Sequence, residues 1–295
     1  MSASDQPLFY RMNAEGETQP LVLDSPHSGS YYPPDFIPAC PREWLRQTED
    51  MYVDELFSAA PSLGIGLLKA HAARSYIDLN RAADDIDPFL VDGPYPTPLN
   101  PSDRSRVGHG LIRHLCRSKP VYAEKISTKN IIHRIDNYYQ PYHAALREMI
   151  AQRWQNFGVV WHINCHSMPS ESAPGVSPLA GSLTRPRADF VLGDLDGRSC
   201  EGAFVEVVGN YLGSKGYHVA YNDPYKGMEI LRVCGAPAKG MHSLQFEINR
   251  ALYMNEETFE RNTNFASLQR DLTGLLQHLS AWMQSRLHAE KLAAE

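Results

Sequence analysis

The sequence predicts an α/β fold, a mixed and mostly parallel sheet flanked by helices in a single domain, and three observations predict it. Short apolar runs of strand length alternate with segments of helical periodicity along the chain, the order that builds a sheet covered on both faces. No internal repeat, low-complexity tract or long charge run divides the 295 residues, which are read as one domain. Two histidines, an Asn-Arg pair and a strand glutamate fall at or after strand ends, where ligands bind in such sheets.

Leu21-Val22-Leu23 is a short apolar strand running into Asp24-Ser25-Pro26-His27-Ser28-Gly29. A loop rich in proline follows (Pro33, Pro34, Pro38, Pro41), then a helix over 48–60. There Val53, Leu56, Phe57 and Ala60 repeat at the i, i+3, i+4, i+7 spacing of one buried face. Residues 65–70 and 75–79 read as strands, and 84–106, rich in Pro, Asp and Gly, as loop. The stretch 122–155 is mostly helical, and Gly158 introduces the clearest strand, 159–166. A strand at 191–194, a helix over 198–212 and strands at 218–221 and 243–248 follow. Leu268, Leu272, Leu275, Leu279 and Trp282 mark a long amphipathic C-terminal helix.

Composition narrows the function. A net charge of -6 disfavours a nucleic-acid binder, while a few local arginines still suffice for a small anionic substrate. No apolar run approaches the roughly 20 residues of a membrane span. Met1–Phe9 lacks the basic and apolar regions of a signal peptide, so the expected address is the cytoplasm. The five cysteines are scattered without a CxxC pair, which fits reduced thiols. Cys165 adjoins His166, but strand neighbours point to opposite faces, and a buried thiol is expected there rather than a nucleophile.

Two imidazoles and a carboxylate with one open position make a catalytic zinc site. His27, in a glycine-containing turn after one strand, and His166, at the end of another, are the candidate imidazoles. His162 and Asn164 share the face of His166 and either orient it or line an ordinary polar cleft. Asn80-Arg81 suits a substrate carboxylate, because a guanidinium can grip it with two bonds; the alternative is a structural Asp78–Arg81 ion pair. Glu247, inside an apolar strand, is either a general base or the partner of Arg250. The acidic run Asp84-Asp85-Ile86-Asp87 lacks the register of a calcium loop and reads as solvated. Lys226, in the turn 223–227, is within reach of an anionic ligand. Dinucleotide and phosphate loops, a serine-hydrolase elbow and an H-E-x-x-H helix are all missing.

As an ordered set, several motifs resemble the N-formylglutamate amidohydrolase family over about residues 20 to 285. They are Ser-Pro-His-Ser-Gly at 25–29, Thr-Glu-Asp with Val-Asp-Glu-Leu at 48–56 and Asp-Leu-Asn-Arg at 78–81. Asn-Cys-His-Ser-Met at 164–168, Tyr-Lys-Gly at 225–227, and Phe-Glu-Ile-Asn-Arg with Tyr-Met-Asn-Glu at 246–256 complete the set. That family is similar to the zinc carboxypeptidases and aspartoacylases. The resemblance implies a zinc-carboxypeptidase-like fold, one Zn2+ per chain, and hydrolysis of an N-acyl acidic amino acid. N-formyl-L-glutamate, split to formate and glutamate as in one route of histidine degradation, is the first candidate. The resemblance also implies zinc on His27 and His166, Glu247 as general base, and Asn80 and Arg81 on a substrate carboxylate; Arg74 is a candidate donor to the oxyanion. Arg232 and Arg250 are further carboxylate candidates. The carboxypeptidase-type glutamate three residues after the first histidine is replaced by Ser30, so the third ligand is sought among Glu49, Asp50 and Asp54. Asp50 is preferred, since a Thr-x-Asp pattern marks this helix start in the family. The rivals are a zinc amidase for another N-acyl amino acid or a cell-wall peptide, and a non-catalytic protein that binds an acidic metabolite.

Overall fold

Apolar alternation and apolar runs do build the sheet. The structure, a computed structural model, describes residues 7–176 and 186–294; Met1–Gln6, part of the stretch tested above for a signal peptide, lie outside them. Seven strands form the main sheet: β1 (Phe9–Met12), β2 (Leu21–Ser25), β3 (Gly66–Ala70), β4 (Val160–Met168), β5 (Phe190–Gly193), β6 (Val219–Tyr221) and β7 (Met241–Asn249). Their order is β1-β3-β2-β4-β7-β5-β6. β2 and β7 both run parallel to β4, and β6 parallel to β5, while β7 and β5 are antiparallel. The sheet is therefore mixed and mostly parallel in these pairs, as expected. β1 carried no signal in the sequence because it is only partly buried.

By internal contacts the chain forms two compact units. The first comprises Met1–Arg11, Pro26–Met51 and Leu68–Leu146, and the second Met12–Ser25, Tyr52–Leu67 and Arg147–Glu295. In the second, the alternate residues Trp161, Ile163 and Cys165 of β4 are buried on one face, with Leu21 and Leu23 of β2 and Leu244 and Phe246 of β7 in register. The helices α1 (Gln140–Phe157), α2 (Gly202–Ser214) and α3 (Phe265–Ala294) are the longest among the described residues. Along α3, Leu268, Leu272, Leu275, Leu276 and Leu279 are buried. Each leucine contributes about 1.5–3 kcal/mol of transfer free energy, which makes this stripe the anchor of the helix.

One expected element is shortened and another absent, for local reasons. The helix over 48–60 shrinks to Val53–Leu56, because Tyr52 at its start takes a left-handed φ of 64°. Residues 75–79 form turns instead of a strand. The Asp78 N–H donates to the Leu111 carbonyl (2.8 Å), and the Asn80 N–H turns back onto the Asp78 side chain (3.0 Å), which diverts both from a strand ladder. The acidic run is also less solvated than expected. Asp85 and Asp87 are buried, Asp85 accepting bonds from Ser102 and Asp87 from the Phe89 N–H.

Candidate active site

The first unit assembles its polar side chains from loops. After β2 the chain turns at Pro26, and His27 is buried with Nε2 2.7 Å from Asp78 Oδ1 and Nδ1 3.4 Å from Asp50 Oδ2. An Nε2–H that donates to Asp78 leaves the Nδ1 lone pair on the Asp50 side. The Asp50 N–H also donates to the His27 carbonyl at 2.9 Å, so main chain fixes the two residues as a pair. Gly29 allows this turn, since a Cβ there would lie 2.3 Å from the Ala72 carbonyl oxygen.

Asp78 is the hub of the cluster. Besides His27 it accepts Arg74 Nη2 at 2.7 Å, and Arg74 Nη1 lies 3.7 Å from Asp50 Oδ1. Burial alone would raise the Asp78 carboxyl, but Arg74, His27 and Arg81 outweigh it and hold it well below the usual carboxylate range. Asn80 and Arg81 follow, both buried. Arg81 Nη1 is buried without a hydrogen-bond partner, and among the described residues its guanidinium forms no ion pair. Burial pulls its pKa below the ordinary arginine value, with Arg74 acting in the same direction against Asp78. The expected Asp78–Arg81 ion pair is thus replaced by Asp78–Arg74.

Glu49 is turned to other partners. Its Oε1 accepts the Tyr32 hydroxyl at 2.5 Å, and Arg46 lies 3.7 Å from its Oε2.

The second unit builds its polar row on strands. In register, Asp24 of β2 faces Asn164 of β4, which faces Gln245 of β7; His166 faces Glu247, and His162 faces Ser243. Facing residues share a side of the sheet. His166 Nε2 lies 2.7 Å from Asn164 Oδ1, and Asn164 Nδ2 donates to Asp24 Oδ1 at 2.7 Å. Asp24 Oδ1 also lies 2.9 Å from His162 Nε2, and His162 Nδ1 lies 2.8 Å from Ser243 Oγ. All five residues are buried. Because the Asn164 amide is oriented by Asp24, its oxygen faces His166, which donates from Nε2 and keeps its Nδ1 lone pair. Glu247 is 6% exposed and accepts Gln245 Nε2 at 2.9 Å. Arg250, expected as its ion-pair partner or as a carboxylate reader, donates from Nε to Ser167 Oγ at 3.1 Å.

His27, Asp50 and His166 form a group that could hold a metal ion, with one ligand atom from each and all three within 4.8 Å of one another. Two imidazoles and one carboxylate are the donor set of a catalytic zinc site.

Other candidates lie at the surface. Arg232 is mostly exposed and binds Glu229 through Nε and Nη2, each at 2.6 Å. Lys226 pairs with Asp196 at 3.0 Å, both more than half exposed. Cys165 is buried, and burial raises its thiol well above the usual range, as a bystander requires. Asp24 was overlooked in the sequence, although a carboxylate ending an apolar run carries the same signal as Glu247.

The chain is similar to known proteins. A family model described as N-formylglutamate amidohydrolase matches residues 19–254. N-formylglutamate deformylase of Pseudomonas aeruginosa is 28% identical over 277 residues, covering 90% of this chain and 95% of the relative. The enzyme of the same description from Pseudomonas putida is also 28% identical, covering 90% and 94%. The crystal structure of N-formylglutamate amidohydrolase from Ralstonia eutropha superposes with a TM-score of 0.88 at 48% identity, over 94% of this chain and 98% of that one. A gene product of Agrobacterium tumefaciens, 17% identical with a TM-score of 0.65 over 95% and 98%, shares the fold.

Proposed function

This chain belongs to the N-formylglutamate amidohydrolase family, and we propose that it hydrolyses the amide of an N-acyl acidic amino acid with one zinc ion per chain. N-formyl-L-glutamate is the foremost substrate, giving formate and glutamate; the step fits the end of a histidine-degradation route in the cytoplasm. The observation that carries this reading is Arg81. A buried guanidinium with an unbonded Nη1 is costly, and the carboxylate of an acidic amino acid is the partner that relieves the cost. It sits one bond from the His27 cluster, its N–H donating to the carbonyl of Asp78.

The contacts support a set of roles. His27, Asp50 and His166 would hold the metal, and Asp78 and Asn164 fix the two imidazoles through their Nε2 atoms. Zinc bound there supplies the Lewis acidity that makes water nucleophilic near neutral pH and polarises an amide carbonyl. Glu247, steadied by Gln245, accepts the proton of the attacking water and returns it to the departing nitrogen. Arg74 lends positive charge to the oxygen that becomes anionic, and Asn80 with Arg81 holds the carboxylate. Lys226 and Arg232, paired at the surface, have no part in this scheme.

The test is formate release from N-formyl-L-glutamate by the purified protein, before and after chelation and after return of zinc. Turnover that is lost on chelation and restored by zinc is expected. Full activity in rigorously metal-free protein would overturn the role of zinc. Absence of turnover on every N-acyl acidic amino acid, with zinc bound stoichiometrically, would overturn the reaction.

A further inference from the structure

An N-acylglutamate carries two carboxylates, and Arg81 accounts for one. The first unit holds a second guanidinium, half-buried and likewise without an ion-pair partner among the described residues. Arg113 ends a tight turn that starts at Gly108, with φ 88°, and is closed by a bridge between His109 and Arg113. Gly110 sits against the Asp85 carbonyl and Ser105, where a Cβ would come within 2.6 Å of the former. The turn is fastened to the loop that carries Asp78, Asn80 and Arg81 by two backbone bonds. The Leu111 N–H donates to the Asp85 carbonyl, and the Asp78 N–H donates to the Leu111 carbonyl, each at 2.8 Å.

The bonding of Arg113 is what singles it out. Its Nη1 lies 3.0 Å from His109 Nδ1, and because a guanidinium only donates, the imidazole accepts there and is neutral. Among the described residues no carboxylate forms an ion pair with Arg113. The nearby acids are committed elsewhere, Asp78 to Arg74 and His27, and Asp85 to Ser102. Positive charge therefore exceeds its local compensation. Burial lowers His109 to about 4, and Arg113, Arg104, Arg74 and Arg81 all push the same way. Burial lowers Arg113 itself to about 10, with Arg74 and Arg81 adding to the effect. The field of these guanidiniums at His109 favours an anion, and the neutral histidine holds Arg113 without cancelling its charge.

We propose that Arg113, oriented by His109, binds the second carboxylate of the acidic amino acid, so that Arg81 and Arg113 together select a dicarboxylate. This rests on the amidohydrolase reading above, and a binding experiment separates the two. L-glutamate, L-glutamine and L-isoglutamine differ only in which carboxylate is replaced by an amide. Their affinities are measured calorimetrically for the zinc-loaded wild type, R113Q and R81Q. Removing one partner of a charge-assisted hydrogen bond costs roughly 10- to 150-fold in affinity. R113Q should lose about this much for glutamate and for one of the two amides, and less than about threefold for the other. R81Q should show the opposite choice of amide. Equal losses on all three ligands, or none, would overturn the proposal. If R113Q fails to fold, as judged by its melting transition, R113K keeps the charge and loses the fork, and must show the same selectivity. Wild-type turnover of N-formyl-L-glutamate, followed separately, decides the reaction itself, so the two ideas fail independently.

Discussion

The two polar clusters are built by opposite means. The row on β2, β4 and β7 uses strand period and register, in which Asp24, Asn164 and Gln245 face one another and His166 faces Glu247. The cluster around Asp78 uses loops, in which His27 and Asp50 are joined by a backbone bond and Arg74 by its side chain. A strand places residues through bonds that each pair of neighbours repeats, so one lost side chain leaves its scaffold intact. The loop cluster places residues through the same side chains that the proposed reaction uses. Substitutions in the loops should therefore disturb geometry and binding together, while those on the strands should separate them.

The largest effect is expected at Asp50, the proposed loop ligand. Asp50→Ala should lose stoichiometric, tightly held zinc, because two histidines and water leave a tetrahedral site short of a protein ligand. Glu49→Ala should keep its zinc, since Glu49 is engaged by Tyr32 and Arg46. Metal analysis per chain reads the difference, and the reverse pattern would move the ligand to Glu49. On the strand side, Glu247→Gln should lower kcat by about a hundredfold or more, the range for general acid–base catalysis. Bound zinc and melting temperature should stay at wild-type values. A mutant with normal kcat would remove Glu247 from the reaction, and one that loses zinc as well would erase the contrast between strands and loops.

A smaller effect is expected one step behind a ligand. Asn164→Ala deletes the amide that positions His166, and should weaken zinc by about 10- to 100-fold, the usual cost of losing such support. Competition with a chromogenic chelator measures it. Unchanged affinity would mean that the sheet alone orients the imidazole.

The same contrast explains what the sequence disclosed. His162, Asn164 and His166 were legible as one face because strand alternation is a local rule, and Glu247 because a carboxylate in an apolar run is conspicuous. The leucine stripe of α3 was legible for the same reason. The loop cluster has no period. His27 and Asp78 are 51 residues apart and meet through a single side-chain bond. The Asp78–Leu111 backbone bond that brings the Arg113 turn to the site has no signature in residue type. The left-handed Tyr52 delays to Val53 a helix that the sequence reading starts at residue 48. Lys226 and Arg232, which residue type alone offers as anion binders, each have a surface acid beside them that the sequence does not announce.

The smallest expected effect tests the neutral histidine of the loop cluster. His109 is lowered from 6.5 to about 4, first by burial and then by the guanidiniums of Arg113 and Arg104. Between these two values the unfolded chain binds a proton at this imidazole that the folded chain refuses, so stability rises with pH through the window. His109 thus contributes stability above pH 6.5 that is lost as the pH falls toward 4. Its partial exposure keeps the contribution small. His109→Gln retains an acceptor for Arg113 and does not titrate. Urea midpoints at roughly pH 7 and roughly pH 5 should drop less between the two conditions for the variant than for the wild type. Equal drops would show that His109 takes up its proton in the fold as readily as in water. The guanidinium cluster would then have its charge balanced, and the loop half of the site would be no more strained than the strands.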